Sequence, residues 1–326
     1  MRLMVTGATG KVGNAVARRL SDRGDDVVAL VRKPDAARKA LPDGVELVEG
    51  DVTEAGTIPP AVEGADGVFN CMGIYEQWLS DPGTFERVNA EGARNVVSEA
   101  RRAGVGRVVH TSTFDVFHAE TGGTMTEEDL ADYPKGTAYE RSKQHAEELV
   151  LAEAADGIEV VIVNPAGVYG PGPWAKAGLD GVMRDAIRRR LPAVPPGGMT
   201  LAYVDDVADG HLAAFERGVP GERYILGDGF ASMQEIVDAA VEAAGRGRVP
   251  PRLPVGVAKG FVAVGEGISR LIRRPPLVGS RGQLHFVLWE AKVDNAKARE
   301  QLGVEFTPWQ EGIPSTVRWM AEEGRI

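Results

Sequence analysis

Residues 6–13 read Thr-Gly-Ala-Thr-Gly-Lys-Val-Gly and stand between a short apolar run and a helical pattern. Gly7, Gly10 and Gly13 suit a tight turn, a close approach to a pyrophosphate and close packing of a helix on a strand. The free N–H groups at the start of that helix would face the phosphates. This context of strand, glycine loop and helix predicts a dinucleotide-binding domain of the Rossmann type rather than a plain strand–helix turn.

Apolar runs and helical patterns alternate through the first half of the chain. The predicted strands cover residues 3–5, 27–31, 45–48, 67–70, 107–111 and 159–163, and the predicted helices cover residues 11–23, 35–41, 58–62, 83–103 and 137–155. Strands that alternate with helices imply a parallel sheet with helices on both faces. The strands are apolar almost throughout, which fits burial on both sides.

After Asn164 this alternation ends. Residues 165–173 and 192–198 are rich in glycine and proline, which predicts loops. We predict an α/β protein with a doubly wound parallel Rossmann sheet and a smaller, mainly C-terminal α/β domain that binds the substrate. The first domain would cover residues 1–165 with a return segment at about 201–226, and the second would cover residues 166–200 and 227–326.

The composition argues against several other classes of protein. The 326 residues carry a net charge of −10, whereas a nucleic-acid-binding protein needs a basic face. Cys71 is the single cysteine, so an internal disulfide is ruled out. The histidines show no ligand spacing with cysteines or acids, and no metal is predicted. Neither a signal peptide nor a long uninterrupted apolar stretch is evident, so we expect a cytoplasmic location.

The residues after the second predicted strand bear on the choice of cofactor. An acid there would bind the ribose hydroxyls of NAD, but this chain has Val31 followed by Arg32 and Lys33. A guanidinium can hold the 2′-phosphate of NADP and stack on the adenine. The pattern therefore favours NADP(H), with NAD(H) as the alternative. In the non-functional interpretation, Arg32 and Lys33 are a solvated pair of surface cations.

Tyr139 and Lys143 lie four residues apart near the start of a predicted helix, so they share one helical face. A free phenol has a pKa of about 10 and exchanges protons poorly at neutral pH. A nearby ammonium favours the phenolate, so we expect Lys143 to lower the pKa of Tyr139. That arrangement would prepare Tyr139 for acid–base chemistry.

These segments resemble the extended short-chain dehydrogenase/reductases, of the NAD-dependent epimerase/dehydratase superfamily. The resemblance rests on the motifs at residues 6–13, 50–52, 88–96, 139–143 and 164–172, and it continues at 203–208 and 297–303. Residues 72–78 look most like dihydroflavonol-4-reductase-like and hopanoid-associated sugar epimerase-like members, with 3β-hydroxysteroid dehydrogenases nearby. The resemblance spans most of the chain and is weakest over residues 228–290.

The resemblance implies roles for individual residues. Tyr139 would exchange the proton with the substrate oxygen, and Lys143 would also hydrogen-bond the nicotinamide ribose. Thr113 would hold the substrate oxygen, with Ser112 as second choice; the bland interpretation of Thr113 is a strand-end hydroxyl that satisfies the backbone. The implied cofactor contacts are Gly7, Thr9, Gly10, Lys11, Val12, Gly13, Arg32, Asp51, Val52, Cys71, Met72, Gly73, Asn89, Thr111, Lys143, Pro165 and Val168.

The chain departs from the family after the candidate hydroxyl. Phe114 and Asp115 stand where small residues are usual, which places the departure at the substrate pocket. The further candidates for that pocket are Tyr75, Trp78 and Tyr169. Cys71 also departs from the usual small-residue run, and we expect it to be a packing residue rather than a nucleophile.

We therefore expect an NADP(H)-dependent oxidoreductase that acts on a ketone, an aldehyde or a secondary alcohol of moderate size. One alternative is an NAD-dependent nucleotide-sugar epimerase or dehydratase, and another is a non-catalytic dinucleotide sensor. The resemblance also implies the possibility of a homodimer. The apolar stretch Val255–Ile272 is followed by Arg273 and Arg274, a pattern that could cover an apolar substrate or lie on a membrane surface. Four glycines dilute its apolar face, so we favour a core or lid helix over membrane contact.

Overall fold

The computed structural model describes residues 1–155, 157–172, 178–276 and 279–326. The strands within these ranges are β1 (Arg2–Thr6), β2 (Asp26–Val31), β3 (Glu46–Glu49), β4 (Gly67–Asn70), β5 (Arg107–Thr111), β6 (Thr124–Met125), β7 (Glu159–Pro165), β8 (Gly167–Tyr169), β9 (Gly198–Tyr203), β10 (Arg223–Leu226), β11 (Phe230–Ser232) and β12 (Lys292–Val293).

The helices within the same ranges are α1 (Lys11–Asp22), α2 (Pro34–Ala37), α3 (Pro59–Val62), α4 (Gly83–Phe85), α5 (Gly92–Arg102), α6 (Ala138–Ala154), α7 (Gly178–Ile187), α8 (Val204–Arg217), α9 (Met233–Ala244), α10 (Val255–Ile272), α11 (Arg281–Trp289), α12 (Ala296–Leu302) and α13 (Trp309–Glu322). Short 3₁₀ turns cover Ala55–Thr57 and Phe114–Val116, and a π-helical turn, Glu86–Glu91, joins α4 to α5.

Seven of the described strands form one parallel sheet in the order β10-β7-β5-β4-β1-β2-β3. The order reverses between β1 and β4, which is the switch point of a doubly wound sheet. Helices α1, α8 and α12 bury apolar side chains on one face of the sheet, and α3, α5 and α6 do so on the other. The predicted doubly wound Rossmann fold is confirmed.

A separate apolar core lies among α7, α9, α13 and a smaller sheet of order β11-β9-β8 within the described residues. The chain returns from this region to the large sheet, since α8 packs against α1 and β10 pairs with β7. The exact division of the chain into two domains stays a prediction. None of the helices in the described ranges combines the length and the apolar character needed to cross a bilayer.

The predicted loop over residues 165–173 is partly wrong, because Gly167–Tyr169 forms the strand β8 and pairs with β9. Glycine permits this pairing, since a Cβ at Gly167 would lie 2.6 Å from the Met199 sulfur and 3.0 Å from the Thr200 carbonyl oxygen. The last residue of that predicted loop, Pro173, lies outside the described residues. The single helix predicted over residues 83–103 is interrupted by the π-helical turn, a feature that often accompanies functional sites.

Candidate active site

The glycine loop connects β1 to α1 at the carboxyl edge of the large sheet. Gly7 has a φ of +64°, and a Cβ there would lie 2.7 Å from the Cys71 carbonyl oxygen. A Cβ at Gly13 would lie 2.4 Å from the Gly7 carbonyl oxygen, so only glycine allows α1 to pack this closely on the loop. Gly10 caps α1 without any side chain over its first N–H groups. These groups fit a pyrophosphate.

Three further members of the glycine loop lie in different environments. Thr9 is half-buried, and Val12 is half-buried against the core between α1 and the sheet. The Lys11 ammonium donates a hydrogen bond to the Gly170 carbonyl oxygen at 2.6 Å and forms an ion pair with Asp180 on α7. Lys11 therefore ties the glycine loop to the C-terminal region, and its predicted contact with the cofactor stays a prediction.

Arg32 directly follows β2 and is exposed at the rim of a cavity of about 270 Å³. The cavity is lined by Arg32, Glu49, Gly50, Asp51, Glu54 and Thr57. Asp51 accepts hydrogen bonds from the backbone N–H and the hydroxyl of Thr53, which fix its carboxylate. Its lining combines one guanidinium with three carboxylates and includes Arg32 and Asp51, both of which were predicted from the sequence to contact the cofactor.

The loop after β4 passes between the glycine loop and α6. Asn89, in the π-helical turn, accepts from the Ile74 N–H at 2.7 Å and donates to the Ile74 carbonyl oxygen and to Ser142 at 3.0 Å each. Gly73 allows this loop to approach Lys143, since a Cβ at Gly73 would lie 3.2 Å from the Lys143 Nζ. The hydrogen bonds of Asn89 thus fix the loop after β4, which is predicted to contact the cofactor. Met72 is buried in this loop.

Burial raises the pKa of the Cys71 thiol to about 12, although a hydrogen bond with Thr111 and the Lys143 ammonium act in the opposite direction. A thiol with so high a pKa is a poor nucleophile, which agrees with a packing role.

On the other side of the site, Pro165 is buried at the end of β7 and Val168 is half-buried in β8. Val52 packs against Gly92, since a Cβ at Gly92 would lie 2.9 Å from Cγ2 of Val52.

Tyr139 and Lys143 lie in the first turns of α6. The helix begins with a capping box, in which the Thr137 hydroxyl accepts from the Glu140 N–H and the Glu140 carboxylate accepts from the Thr137 N–H. The Lys143 ammonium donates to the Thr111 carbonyl oxygen at 2.9 Å, at the end of β5. Burial lowers the pKa of Lys143 to about 8.

The end of β5 brings a hydroxyl to Tyr139. The Thr113 hydroxyl donates to Asp115 Oδ2 at 2.7 Å, and its interaction with Tyr139 lowers the pKa of the phenol. Asn164 on the neighbouring strand β7 donates to the Thr113 carbonyl oxygen at 3.0 Å and fixes this residue. The Ser112 hydroxyl has no hydrogen-bond partner among the residues that the structure describes. Of the two candidate hydroxyls, Thr113 is the one that acts on the pKa of Tyr139, and its catalytic role stays a prediction.

The electrostatics of Tyr139 differ from the sequence-based expectation. Its pKa is raised, first by burial and then by the negative charge of Asp115, while the hydrogen bond with Thr113 lowers it. Glu76 and Glu140 raise it further. The expected net lowering of the Tyr139 pKa is wrong, because burial and three carboxyl groups raise it. The site therefore holds a protonated phenol at neutral pH.

The carboxyl groups of Asp115, Glu76 and Glu140, all buried or half-buried, thus act on Tyr139. Asp115 was identified from the sequence, whereas Glu76 and Glu140 were not. Burial raises the pKa of Asp115 to about 7 and that of Glu76 to about 7. Asp115 Oδ1, Glu76 Oε2 and Glu140 Oε1 are buried without hydrogen-bond partners in the described part of the chain. The Lys135 ammonium lies 3.7 Å from Glu140 and donates to the Phe117 carbonyl oxygen at 2.8 Å.

Aromatic side chains enclose the phenol. The Tyr139 ring lies 6.0 Å from the ring of Phe85 and 6.1 Å from the ring of Phe286, both nearly edge-on. Phe286 belongs to α11, from the part of the chain with the weakest family resemblance, and no local motif marks it. Phe114 is buried and packs against Trp289, also on α11, with a centroid distance of 5.8 Å.

The three other predicted pocket residues fall in different environments. Tyr75 is 50% exposed and Trp78 is half-buried, both in the loop after β4. Tyr169 is fully buried in the C-terminal core, with its ring 5.6 Å from that of Tyr203. A Cβ at Gly312 would lie 2.0 Å from the Tyr169 hydroxyl, so this phenol packs against α13. The structure does not bring Tyr169 together with Tyr139.

A sequence model of the NAD dependent epimerase/dehydratase family matches residues 3–227. The chain belongs to this family. Sterol demethylase protein B of Methylococcus capsulatus is 30% identical over the full length of both chains. A putative dihydroflavonol 4-reductase of Synechocystis sp. is 31% identical over 99% of this chain and 95% of that protein. The crystal structure of gox2253 has 29% identity and a TM-score of 0.80 over 99% of each chain.

These matches confirm the resemblance that the motifs predicted, both at the level of the family and for its reductase-like members. As a member of this family, the chain is an oxidoreductase that acts on hydroxyl or carbonyl groups. It binds a nicotinamide dinucleotide, and the glycine loop before α1 has the backbone geometry that such a group requires.

Proposed function

We propose that this protein is an NADP(H)-dependent reductase or dehydrogenase that interconverts a ketone or aldehyde with the corresponding alcohol. The observation that carries the proposal is the buried group of Tyr139, Thr113 and Asp115. The Lys143 ammonium donates to the Thr111 carbonyl oxygen, two residues before Thr113. A bound nicotinamide would supply or accept the hydride. The chain's own residues supply the proton and the orientation of the reacting oxygen.

Tyr139 is the proton donor in the direction of reduction. Its raised pKa keeps the proton on the phenol until negative charge develops on the substrate oxygen. Thr113 positions the phenol, and its own hydroxyl is fixed by the hydrogen bond that it donates to Asp115. The buried Lys143 ammonium lies at the side of the site next to Gly73, where it can bind the ribose of the cofactor.

Arg32 supports the choice of NADP(H) over NAD(H), because no acid occupies the end of β2 and the guanidinium lines the cavity that we assign to the adenosine. Glu49, Asp51 and Glu54 line the same cavity, so Arg32 and the neighbouring Lys33 must outweigh their repulsion of a 2′-phosphate. Phe114 and Asp115 are the residues that would distinguish this substrate pocket from those with small side chains there.

The proposal is tested by a panel of aliphatic, cyclic and aromatic ketones and aldehydes, with NADPH absorbance as the readout. The Tyr139→Phe variant removes the proton donor, so turnover should fall by at least about 1,000-fold while NADPH still quenches protein fluorescence with an unchanged Kd. The matched control is Tyr133→Phe, a tyrosine six residues earlier that is 45% exposed. It should keep wild-type turnover.

The same assay includes UDP-glucose and dTDP-glucose to test the epimerase or dehydratase alternative. Turnover of a nucleotide sugar without net consumption of NADPH, together with no reduction of any carbonyl compound, would contradict the proposal. So would a Tyr139→Phe variant that reduces a carbonyl substrate at the wild-type rate.

A further inference from the structure

The helix α10 carries an apolar surface that the rest of the described chain leaves open. Its exposed stripe consists of Val257, Phe261, Val264, Ile268 and Leu271, which are between 44% and 85% exposed. The spacing of four and three residues places all five on one helical face. Val255 and Ile272 extend this surface at 43% and 54% exposure. A continuous apolar face of this kind marks a surface that contacts an apolar partner.

The other side of α10 is already packed. Ala258, Val262, Glu266 and Ser269 are buried, and the helix contacts α11. Glu266 accepts a hydrogen bond from the Arg281 N–H at 2.6 Å, which fixes α10 on the start of α11. The exposed stripe is therefore a second apolar face, distinct from the face that holds the helix to the protein. The glycines of α10 at 256, 260 and 267 have open space where a Cβ would be.

The charge around α10 is opposite to that of the whole protein. Glu266 is the only acidic residue between positions 249 and 289, whereas six arginines and lysines fall there, in a chain of net charge −10. Glu266 is buried, so it contributes little negative charge to the open face. Arg270, Arg273 and Arg274 are exposed at the end of α10, beside Leu271.

The exposed apolar stripe and the basic residues beside it together favour one kind of partner over another. A second copy of the chain bound through the same face would leave the basic residues of both helices without exposed acidic groups of this segment to pair with them. A bilayer surface with anionic headgroups provides both an apolar layer for the stripe and negative charge for the arginines. We propose that α10 docks the protein on an anionic membrane surface, with its exposed stripe at the level of the acyl chains.

The sequence-based expectation of a core or lid helix rested on the glycines that dilute its apolar pattern. In the structure the glycines do not interrupt the stripe, because its five large side chains lie on one helical face at spacings of three and four residues. The docking helix also lies close to the candidate active site. It packs on α11, whose Phe286 contacts Tyr139, so one helix separates the proposed membrane surface from the phenol.

The test is sedimentation of the full-length protein with vesicles of pure phosphatidylcholine and of phosphatidylcholine with 30% phosphatidylglycerol. We expect at least tenfold stronger partition onto the anionic vesicles, and a loss of that difference in 0.5 M NaCl. The variant Phe261→Gln/Ile268→Gln/Leu271→Gln should lose at least tenfold in partition, and Arg273→Glu/Arg274→Glu should abolish the preference for anionic vesicles. The matched control Val219→Gln changes an exposed valine far from α10 in the sequence and should bind as the wild type does.

Circular dichroism and thermal unfolding establish that each variant is folded, and the two sets of substitutions provide independent tests. Absence of binding to both vesicles by the folded wild type would overturn the proposal. So would sedimentation equilibrium that shows a wild-type dimer, converted to a monomer by the three glutamines, without any vesicle binding. In that case the stripe is an interface between copies.

Discussion

The Thr113 hydroxyl donates to the carboxyl group of Asp115 across 2.7 Å, and both residues are buried beside Tyr139. This hydrogen bond fixes the Thr113 hydroxyl, which acts on the pKa of Tyr139. Asp115 therefore controls the orientation of that hydroxyl. Its charge also raises the pKa of Tyr139. Asp115 is a positioning residue with an electrostatic effect on the proton donor.

We expect the variant Asp115→Asn to change the pH profile of carbonyl reduction. Asparagine keeps an acceptor for Thr113 but removes the negative charge, so the pKa of Tyr139 should fall. A phenol with a lower pKa is deprotonated at lower pH, so the rate of carbonyl reduction begins to fall at lower pH. The basic limb of kcat/KM should therefore move down by roughly 0.5–1 pH unit, and any inflection near pH 7 that arises from Asp115 should vanish.

The control for that profile is Asp132→Asn, which removes the same charge from an exposed position in the segment before α6. It should leave the basic limb in place. A basic limb that moves upward in Asp115→Asn, or that moves equally in both variants, would show that Asp115 does not act on Tyr139.

The choice between the two candidate hydroxyls can be decided by kinetics. Thr113→Val removes the hydroxyl that Asp115 fixes beside Tyr139, so the phenol loses a positioning partner and kcat should fall about 100-fold. Ser112→Ala removes a hydroxyl without a partner in the described structure and should change kcat by no more than about threefold. The reverse ranking of the two variants would reassign the catalytic hydroxyl to Ser112.

The parts of this site that local sequence determines could be predicted. The glycine loop follows from the backbone geometry at Gly7 and Gly13, and the shared face of Tyr139 and Lys143 follows from helical spacing. Six of the seven strands described for the large sheet were predicted, because a strand buried on both faces is a continuous apolar run, whereas β10 was not predicted. Such features need only neighbouring residues for their explanation.

The parts that tertiary contacts determine could not be predicted. Glu76 reaches Tyr139 from the loop after β4, and Phe286 reaches it from a helix about 150 residues further along the chain. The sign of the shift in the Tyr139 pKa also depends on these contacts, because spacing reveals the nearby ammonium but not the burial. Glu140 stands inside the Tyr-Lys motif, yet only the capping box explains why its carboxylate is buried.

The buried carboxyl of Glu76 gives a prediction for stability. Its pKa rises from 4.5 to about 7 on folding, mainly because of burial. Between these two values the folded protein keeps a proton that the unfolded chain has released, so the free energy of unfolding falls as the pH rises. Glu76→Gln should remove this contribution, so its Tm should fall less steeply than the wild-type Tm from pH 5 to pH 8. At pH 8 we expect the variant to gain roughly 2–5 °C.

Thermal unfolding followed by circular dichroism at half-unit pH intervals measures this difference. The matched control is Glu128→Gln, which removes an exposed carboxyl and should reproduce the wild-type slope. A Glu76→Gln variant whose Tm has the wild-type pH dependence would mean that Glu76 does not carry a proton in the folded protein at pH 6.

Cofactor preference gives a prediction at the other end of the candidate site. Arg32→Ala removes the guanidinium from a cavity that then holds only carboxylates, so KM for NADPH should rise about tenfold or more. The KM for NADH should change by no more than about twofold, since NADH has no 2′-phosphate. The control Lys39→Ala removes an exposed cation that does not line the cavity. Equal changes in both constants, or a wild-type enzyme that prefers NADH, would contradict the choice of NADP(H).

The ion pair between Lys11 and Asp180 links the glycine loop to α7 and should stabilise that link. Asp180 is 1% exposed, so Lys11→Met leaves a buried carboxylate without its cation and should lower the free energy of unfolding by about 3–5 kcal/mol. Asp180→Asn leaves the ammonium with the Gly170 carbonyl oxygen as a partner and should cost less. The double variant should then be more stable than the sum of the two losses predicts, because neither charge is left alone. Urea unfolding monitored by tryptophan fluorescence measures all three, with Lys39→Met as the control, and additive losses would show that the two residues do not interact.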